Sequence, residues 1–331
     1  MNLRNAVRLF THIQFLPVLE NGEETTLVGG QAVMEGVMMR SPQSYCVAVR
    51  KPNGEIVRQE SPLERISDRH SIFKLPVLRG LGTLGHAMWL GMKALRFSAC
   101  CAIEEASGKT EPAATAIKNT SSASMALQIA FSLIFMIGLY KFVPLYLATT
   151  LGHHFHAVGG RLAINMVDGS LRIAIFLGFM ILLSRTKDMR RVFEYHGAEH
   201  KVVFNFESGE PVNVTNAQRF VTWHPRCGTS FLFVVLIVAM VAYAFLPIDN
   251  FWLKFAARIA LLPAVVGISY EIIRYAAKRQ GSLLATLTRP GLWLQRVTTQ
   301  PPSDEQTAVA IHALERAMAL EEAQGGVLVI A

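Results

Sequence analysis

Four apolar blocks separated by polar stretches limit the folds that are open to this chain: 125–147, 162–184, 231–246 and 255–277. An α-helix needs about 20 apolar residues to cross the hydrocarbon core of a bilayer. The block 231–246 reaches that length only if it borrows residues 227–230 and 247–249. With 51% hydrophobic residues and a mean hydropathy of +0.33, the chain is too apolar for an ordinary soluble protein of 331 residues. We therefore predict a mainly α-helical membrane protein with about four transmembrane helices in the region 125–277.

The distribution of Lys and Arg predicts how these helices are oriented. The loop 185–226 and the tail from residue 278 are rich in Lys and Arg, whereas the loops after the first and third blocks are poor in them. Cytoplasmic loops of membrane proteins carry an excess of these residues. We expect a multi-pass protein of the bacterial cytoplasmic (inner) membrane, with both termini and the loop 185–228 in the cytoplasm.

The N-terminal part predicts a small cytoplasmic domain that contains β-structure, over residues 1–75. Residues 45–50 are typical of a strand, residues 52–54 (Pro-Asn-Gly) of a turn, and residues 55–59 of the returning strand. The glycines of the preceding segment GGQAVMEGVMMRSP, at 29–42, indicate tight backbone there.

Two further segments are predicted to be amphipathic helices. Residues 76–102 mix leucines with charged residues, which favours a helix at the membrane surface or packed against the helix bundle. Residues 103–124 have the composition of a flexible linker. In the tail 278–331, residues 303–306 (Ser-Asp-Glu-Gln) form a capping box before a helix that ends near residue 323. Its apolar positions Val309, Leu314 and Met318 are expected to dock on the cytoplasmic domain.

Charged residues within the apolar blocks are predicted to pair with each other. A charge in hydrocarbon is costly unless it has a partner, so Asp168 should pair with Arg172 four residues later. Glu271 and Arg274, three residues apart, also lie on one face of a helix and are expected to pair. Structural pairing is the preferred interpretation of both pairs.

The polar loop between the second and third blocks holds a cluster of residues that bind metals. His196 and His200 are four residues apart, so both imidazoles project from one face of a helix and can share a metal ion. With Glu199 they form an H-x-x-E-H arrangement. His224 and Cys227 follow as two more ligands. We predict a divalent metal, with zinc as the first choice.

The roles of the individual residues admit alternatives at this stage. Glu199 is either a general base or a partner that fixes the tautomer of an imidazole. Cys227 is a thiolate ligand, a nucleophile, or a small buried residue at a helix start. Glu35, which lies beside glycines in the N-terminal segment, is a second candidate for the site; the alternative is an ion pair with Arg40.

Four blocks of this sequence resemble the YqhQ-like family: GGQAVMEGVMMRSP, YHGAEHK, HPRCGTSF and RPGLWLQRVTTQPP. They occur in the same order over about residues 27–315. The family is a bacterial and plastid group of membrane proteins with a domain of unknown function, often described as predicted metal-dependent enzymes. The resemblance implies a multi-span membrane protein with a metal site at His196, Glu199, His200, His224 and Cys227, and it implies no known reaction.

These observations are compatible with two functions. The first is a metal-dependent hydrolase that faces the cytoplasm, with His196, His200 and either His224 or Cys227 holding zinc. The alternative is a non-enzymatic assembly or scaffold factor, in which four ligands close a structural site and the partner is another membrane protein. A transporter is a weaker third interpretation, because no inverted repeat is visible. The net charge of +8 is explained by basic flanks of membrane helices, and no nucleic-acid motif accompanies it.

Overall fold

A computed structural model describes residues 28–63, 71–107, 122–156, 159–224, 227–278 and 283–325. The N-terminal 27 residues, most of the predicted linker, and Pro225 and Arg226 of the histidine-rich loop lie outside this description.

The chain forms four strands and then a series of helices. The strands are β1 (Gly29–Val33), β2 (Gly36–Arg40), β3 (Ser44–Arg50) and β4 (Ile56–Pro62). The helices are α1 (Leu78–Ser107), α2 (Ser122–Ile137), α3 (Val143–His154), α4 (Arg161–Ser184), α5 (Lys187–Glu207), α6 (Val214–Gln218), α7 (Gly228–Ala244), α8 (Phe251–Ala260), α9 (Leu262–Lys278), α10 (Leu283–Thr298) and α11 (Asp304–Ala323). A 3₁₀ turn at Ser71–Lys74 precedes α1, and a π-helical segment at Gly138–Phe142 joins α2 to α3.

The strands form one antiparallel sheet in the order β1-β2-β3-β4. The predicted hairpin is confirmed, since β3 pairs with β4 and Arg50 lies opposite Ile56. A first hairpin that was not predicted precedes it: β1 pairs with β2 across a tight turn where Glu35 has a φ of 53°. The strands of this hairpin escaped detection because β2 is buried on both faces, so its residues do not alternate between apolar and polar.

Helices cover both faces of the sheet. On one face, Val37, Met39 and Ala48 pack with apolar residues of α5 and α11. On the other face, Met38 and Val47 pack against Leu90 and Ala94 of α1. Successive residues of a strand point to opposite faces, so β2 and β3 each contribute side chains to both cores.

The amphipathic helices pack largely as expected. Helix α11 begins with the predicted capping box at Ser303 and Gln306 and buries Val309, Leu314 and Met318 in the core that it shares with the sheet. Helix α1 covers the sheet with one side and leaves a row of apolar side chains exposed on another: Met88, Trp89, Met92 and Leu95.

Two helical segments in the described residues are long and apolar enough to cross a membrane: Ala130–His154 and Arg161–Ser184. The count reaches three if α8 and α9, which are bent by 46° at their junction, form one broken span. Helix α7 is apolar but has only 17 residues. Two of the four predicted spans are therefore candidate spans by length and composition, and the prediction of four is not confirmed. The fourth predicted span is bent because Pro263 lacks an N–H and its ring clashes with the preceding turn.

The predicted ion pairs have different outcomes. Asp168 and Arg172 are buried and form the expected pair, at 2.8 Å. Glu271 accepts hydrogen bonds from Arg79 of α1 and from the backbone N–H of Val77. The predicted pair of Glu271 with Arg274 is wrong, because Arg79 of α1 is the arginine that pairs with Glu271.

Candidate metal centre

Helix α5 presents three of the predicted site residues within little more than one turn. His196 and His200 lie four residues apart, and their ring centroids are 4.5 Å from each other. Gly197 lies between them at the point where α5 meets the segment that follows α10. A side chain at this position would collide with the carbonyl oxygen of Gln300, whose N–H donates to the carbonyl of Phe193 at 2.9 Å. The absence of a Cβ at Gly197 is therefore what allows this close approach.

Backbone carbonyls fix the tautomers of both imidazoles. His196 Nδ1 lies 2.8 Å from the carbonyl oxygen of Thr298, and His200 Nδ1 lies 2.5 Å from that of Thr222. A carbonyl oxygen only accepts, so each Nδ1 donates in this hydrogen bond and Nε2 is the ring nitrogen left to bind a metal. Histidines that bind metals are held in this way, with the second nitrogen bonded to a carbonyl or carboxylate.

Cys227 brings a sulfur to the same point. It is the N-terminal flanking residue of α7, and its Sγ lies 3.3 Å from His196 Nε2. One ligand atom each from His196, His200 and Cys227 can be chosen so that all three lie within 4.8 Å of one another. These distances suit shared coordination of one ion by two imidazoles and a thiolate, at about 2.0–2.3 Å from each ligand.

Glu199 completes the arrangement on the side of the sheet. Its Oε2 lies 3.4 Å from His200 Nε2, and its side chain is buried against Gly30 of β1. A Cβ at Gly30 would lie 2.6 Å from Glu199 Cγ. Burial lowers the pKa of His200, which keeps that ring neutral. A metal ion bound to His200 Nε2 would bring a positive charge next to this carboxylate.

His224 lies beside these residues, but its Nε2 points towards Glu207. Its ring centroid is 5.7 Å from that of His200, and its Nε2 donates to Glu207 Oε2 at 3.2 Å. Gln295 fixes the backbone of His224, since its side chain accepts from the N–H and donates to the carbonyl. The group formed by His196, His200 and Cys227 does not include His224, so its predicted role as a ligand stays a prediction.

The burial of His224 predicts an acid-sensitive fold. Burial lowers the pKa of His224 to about 4, from 6.5 in an exposed imidazole. Between these values the unfolded chain binds the proton and the folded chain does not, so stability is fully present above pH 6.5 and falls as the pH is lowered towards 4. The slope should approach about 1.4 kcal/mol per pH unit. Thermal melts at a series of pH values, recorded in chelator so that metal release does not contribute, measure it.

Two variants give this measurement its control. His224→Gln should flatten the slope in that pH range, whereas His153→Gln, at an exposed position on α3, should leave the slope unchanged. An equal slope in wild type and His224→Gln would contradict this assignment.

Glu35 lies apart from the three-ligand group. Its carboxylate pairs with Arg191 and accepts from the hydroxyl of Tyr195 at 3.4 Å. Both partners precede His196 on α5. The ion pair with Arg40 was the wrong alternative, because the turn between β1 and β2 carries Glu35 to helix α5 instead. Its predicted membership of the site stays a prediction.

Four residues that were not predicted support the site: Glu207, Gln295, Thr222 and Thr298. Glu207 was recognisable, since it lies seven residues after His200 and therefore on the same face of α5. Gln295, Thr222 and Thr298 were not, because a backbone carbonyl or a distant amide has no sequence signature. All four blocks that carry the family resemblance meet here, and RPGLWLQRVTTQPP supplies Gln295 and Thr298.

Comparisons with known proteins agree with this resemblance. A family profile described as "Protein of unknown function (DUF1385)" matches residues 75–320. The "Uncharacterized protein YqhQ" of Bacillus subtilis (strain 168) is 36% identical over 302 residues, which cover 88% of this chain and 92% of that protein. No solved structure matches the chain. The similarity establishes relatives and assigns no activity to them.

Proposed function

The chain belongs to the YqhQ-like (DUF1385) family, whose function is unknown, and from its site we propose that it is a metal-dependent hydrolase of the membrane. The observation that carries this proposal is the convergence of His196, His200 and Cys227, whose ligand atoms lie within 4.8 Å of one another. These three residues would hold a divalent metal, with zinc as the first choice.

Three protein ligands favour catalysis over a closed structural site. Structural zinc sites usually have four protein ligands, whereas catalytic sites have three and keep one position open. Nε2 of His224 is bonded to Glu207, and the group of possible ligands among the described residues contains His196, His200 and Cys227. A bound zinc ion would supply Lewis-acid polarisation and would lower the pKa of a water molecule.

Glu199 is placed to act as the base in this proposal. It is buried, lies next to His200 Nε2, and is held in place by the backbone of β1 at Gly30. A carboxylate in this position can accept a proton from water and pass it to a leaving group. The Nδ1 atoms of His196 and His200 are hydrogen-bonded to the carbonyls of Thr298 and Thr222. With both Nε2 atoms bound to the metal, these imidazoles would not compete for that proton.

The contacts of the loop that follows α5 favour the hydrolase over the scaffold alternative. A structural metal would be expected to pin this loop, but the loop has its own anchors. The ammonium of Lys201 donates to the carbonyls of Gln218 and Phe220, and Gln218 donates to Thr307 of α11. These contacts anchor the loop through residues other than the three candidate ligands, so a metal is not required to explain its position.

Metal removal tests the hydrolase proposal. Protein purified in nanodiscs is treated with a chelator and assayed on a panel of ester, amide and phosphoester substrates before and after zinc is restored. We expect hydrolysis of at least one substrate class that disappears with the metal and returns with zinc. Activity that persists unchanged in chelated protein would overturn the proposal.

We also propose that the protein is a multi-pass protein of the bacterial inner membrane, with the metal site and both termini in the cytoplasm. Helices α4 and α7 lead to and from this site, and the loop between them has the excess of Lys and Arg expected on the cytoplasmic side. The reducing cytoplasm would keep Cys227 as a thiol or thiolate.

Labelling of introduced cysteines tests this orientation. In intact cells, Ser208→Cys should be protected from an impermeant thiol reagent, because Ser208 follows α5 on the cytoplasmic side. His156→Cys, in the loop between α3 and α4, should be labelled without permeabilisation. The reverse pattern would show that the orientation is inverted.

A further inference from the structure

A second buried polar cluster lies among the apolar helices, away from the metal centre. Its centre is Tyr243 of α7, and Lys141, Arg172 and Arg258 each place their charged group 5.1 Å from the ring centroid. Lys141 Nζ donates to the tyrosine hydroxyl at 3.1 Å, and the hydroxyl donates to the carbonyl of Arg258 at 3.0 Å. Cations from three separate helical segments therefore converge on one aromatic ring.

The charges of this cluster do not balance. Among the described residues, Asp168 is the carboxylate that contacts these cations, at 2.8 Å from Arg172 and 3.0 Å from Arg258. Asn165 adds a neutral acceptor to Arg258 at 2.5 Å. Three cations facing one carboxylate leave two positive charges without a counterion in the part of the chain that the structure describes. Uncompensated charge is expensive inside an apolar bundle, so a stable arrangement calls for an added anion.

Two buried donors mark where that anion would bind. Within the described part of the chain, Nε of Arg172 and Nε of Arg258 have no hydrogen-bond partner, although the two side chains are only 4% and 1% exposed. Buried polar groups are almost always paired, so each of these N–H groups calls for an acceptor. A guanidinium presents its donors as a rigid fork that matches the oxygens of phosphate or carboxylate.

The backbone around the cluster departs from regular helix. Lys141 lies in the π-helical segment Gly138–Phe142, and Arg258 is in the last turn of α8, just before the bend at Leu261. Irregular backbone inside an apolar region is found where it lines a polar site.

We propose that Lys141, Arg172 and Arg258 form a binding site for a phosphomonoester group. The charge decides the chemical class: a phosphomonoester carries about −1.5 to −2 at neutral pH and balances both excess charges, whereas a carboxylate would balance only one. The group comes either from the headgroup of phosphatidate or from free inorganic phosphate. This site is independent of the metal centre and of the proposed hydrolase.

Thermal melts in phosphatidylcholine nanodiscs test this site. One series adds phosphatidate to the bilayer, and the other adds inorganic phosphate to the buffer, with sodium chloride matched for ionic strength. An anion at concentration c that binds the folded protein stabilises it by RT ln(1 + c/Kd), so the melting temperature should rise as c is raised above Kd. Stabilisation by phosphatidate alone assigns a lipid headgroup, and stabilisation by inorganic phosphate alone assigns a free ion. If neither raises the melting temperature of the wild type, the site is a closed structural network and the proposal is wrong.

A matched pair of lysine variants locates the effect. Lys141→Gln removes one cation from the cluster and should weaken anion binding by about ten-fold or more. Lys93→Gln also removes a lysine that lies over a tyrosine ring, that of Tyr45, but at the sheet, and should leave anion binding unchanged. The assignment would be contradicted if both variants weakened anion binding equally, or if neither variant weakened it. If Lys141→Gln cannot be purified, Arg172→Lys, which keeps the charge and loses the fork, takes its place.

Discussion

Replacing Glu199 with glutamine is expected to abolish the function of the protein and leave its metal in place. Glutamine keeps the size and the hydrogen-bonding capacity of the side chain beside His200 and Gly30, but it cannot accept a proton. Loss of a general base typically costs a factor of about 10²–10⁴ in rate. The variant should insert and fold normally, retain metal, and fail to restore the phenotype of a strain that lacks the protein.

A second glutamate on the same helix provides the control. Glu194 is half-buried, contacts Arg190 and Gln306, and lies outside the three-ligand group. Glu194→Gln should therefore support the phenotype as the wild type does. Normal function together with normal metal content in Glu199→Gln would refute the role of Glu199 as a base and would favour the scaffold alternative. Loss of metal from Glu199→Gln would assign Glu199 to metal binding instead.

Replacing either ligand histidine with alanine is expected to remove most of the metal. His196 and His200 each offer Nε2 to the three-ligand group, while a backbone carbonyl holds Nδ1 of each ring. A site reduced from three ligands to two binds zinc weakly, and we expect its affinity to fall by about 100-fold or more. Competition against a chromophoric chelator measures this affinity.

The exposed His153 provides the control for these two variants. His153→Ala removes an imidazole of the same kind from α3, outside the three-ligand group, and should bind metal with the affinity of the wild type. If His196→Ala and His200→Ala both bound metal as tightly as His153→Ala does, the two histidines would be structural residues.

The grouping of His196, His200 and Cys227 could be predicted from sequence because it depends on local rules. Helical spacing brings the two histidines to one face, and the topology brings the helix that follows the loop back to the same end of the bundle. The orientation of His224 could not be predicted, because it depends on Glu207 and on a distant amide, Gln295. Side-chain partners from separate elements become visible only in three dimensions.

The fold was predictable to a similar depth. The second hairpin, the capped helix α11 and the pair of Asp168 with Arg172 follow from periodicity, capping and charge. The first hairpin does not, because burial on both faces removes the alternation that identifies a strand. The bend between α8 and α9 could have been predicted from Pro263, because proline disrupts a helix even where the apolar block is long enough to span a membrane.

Metal analysis of the purified protein tests the central claim most directly. The metal content per chain is measured by mass spectrometry for wild type, Cys227→Ala and Cys46→Ala. Cys46 is a buried cysteine of β3, where burial raises the pKa of its thiol to about 12, so it is a poor ligand and a matched control. The account predicts about one metal ion per chain in wild type and Cys46→Ala, and a large loss in Cys227→Ala. Metal-free wild-type protein after zinc loading, or equal metal in all three proteins, would contradict it.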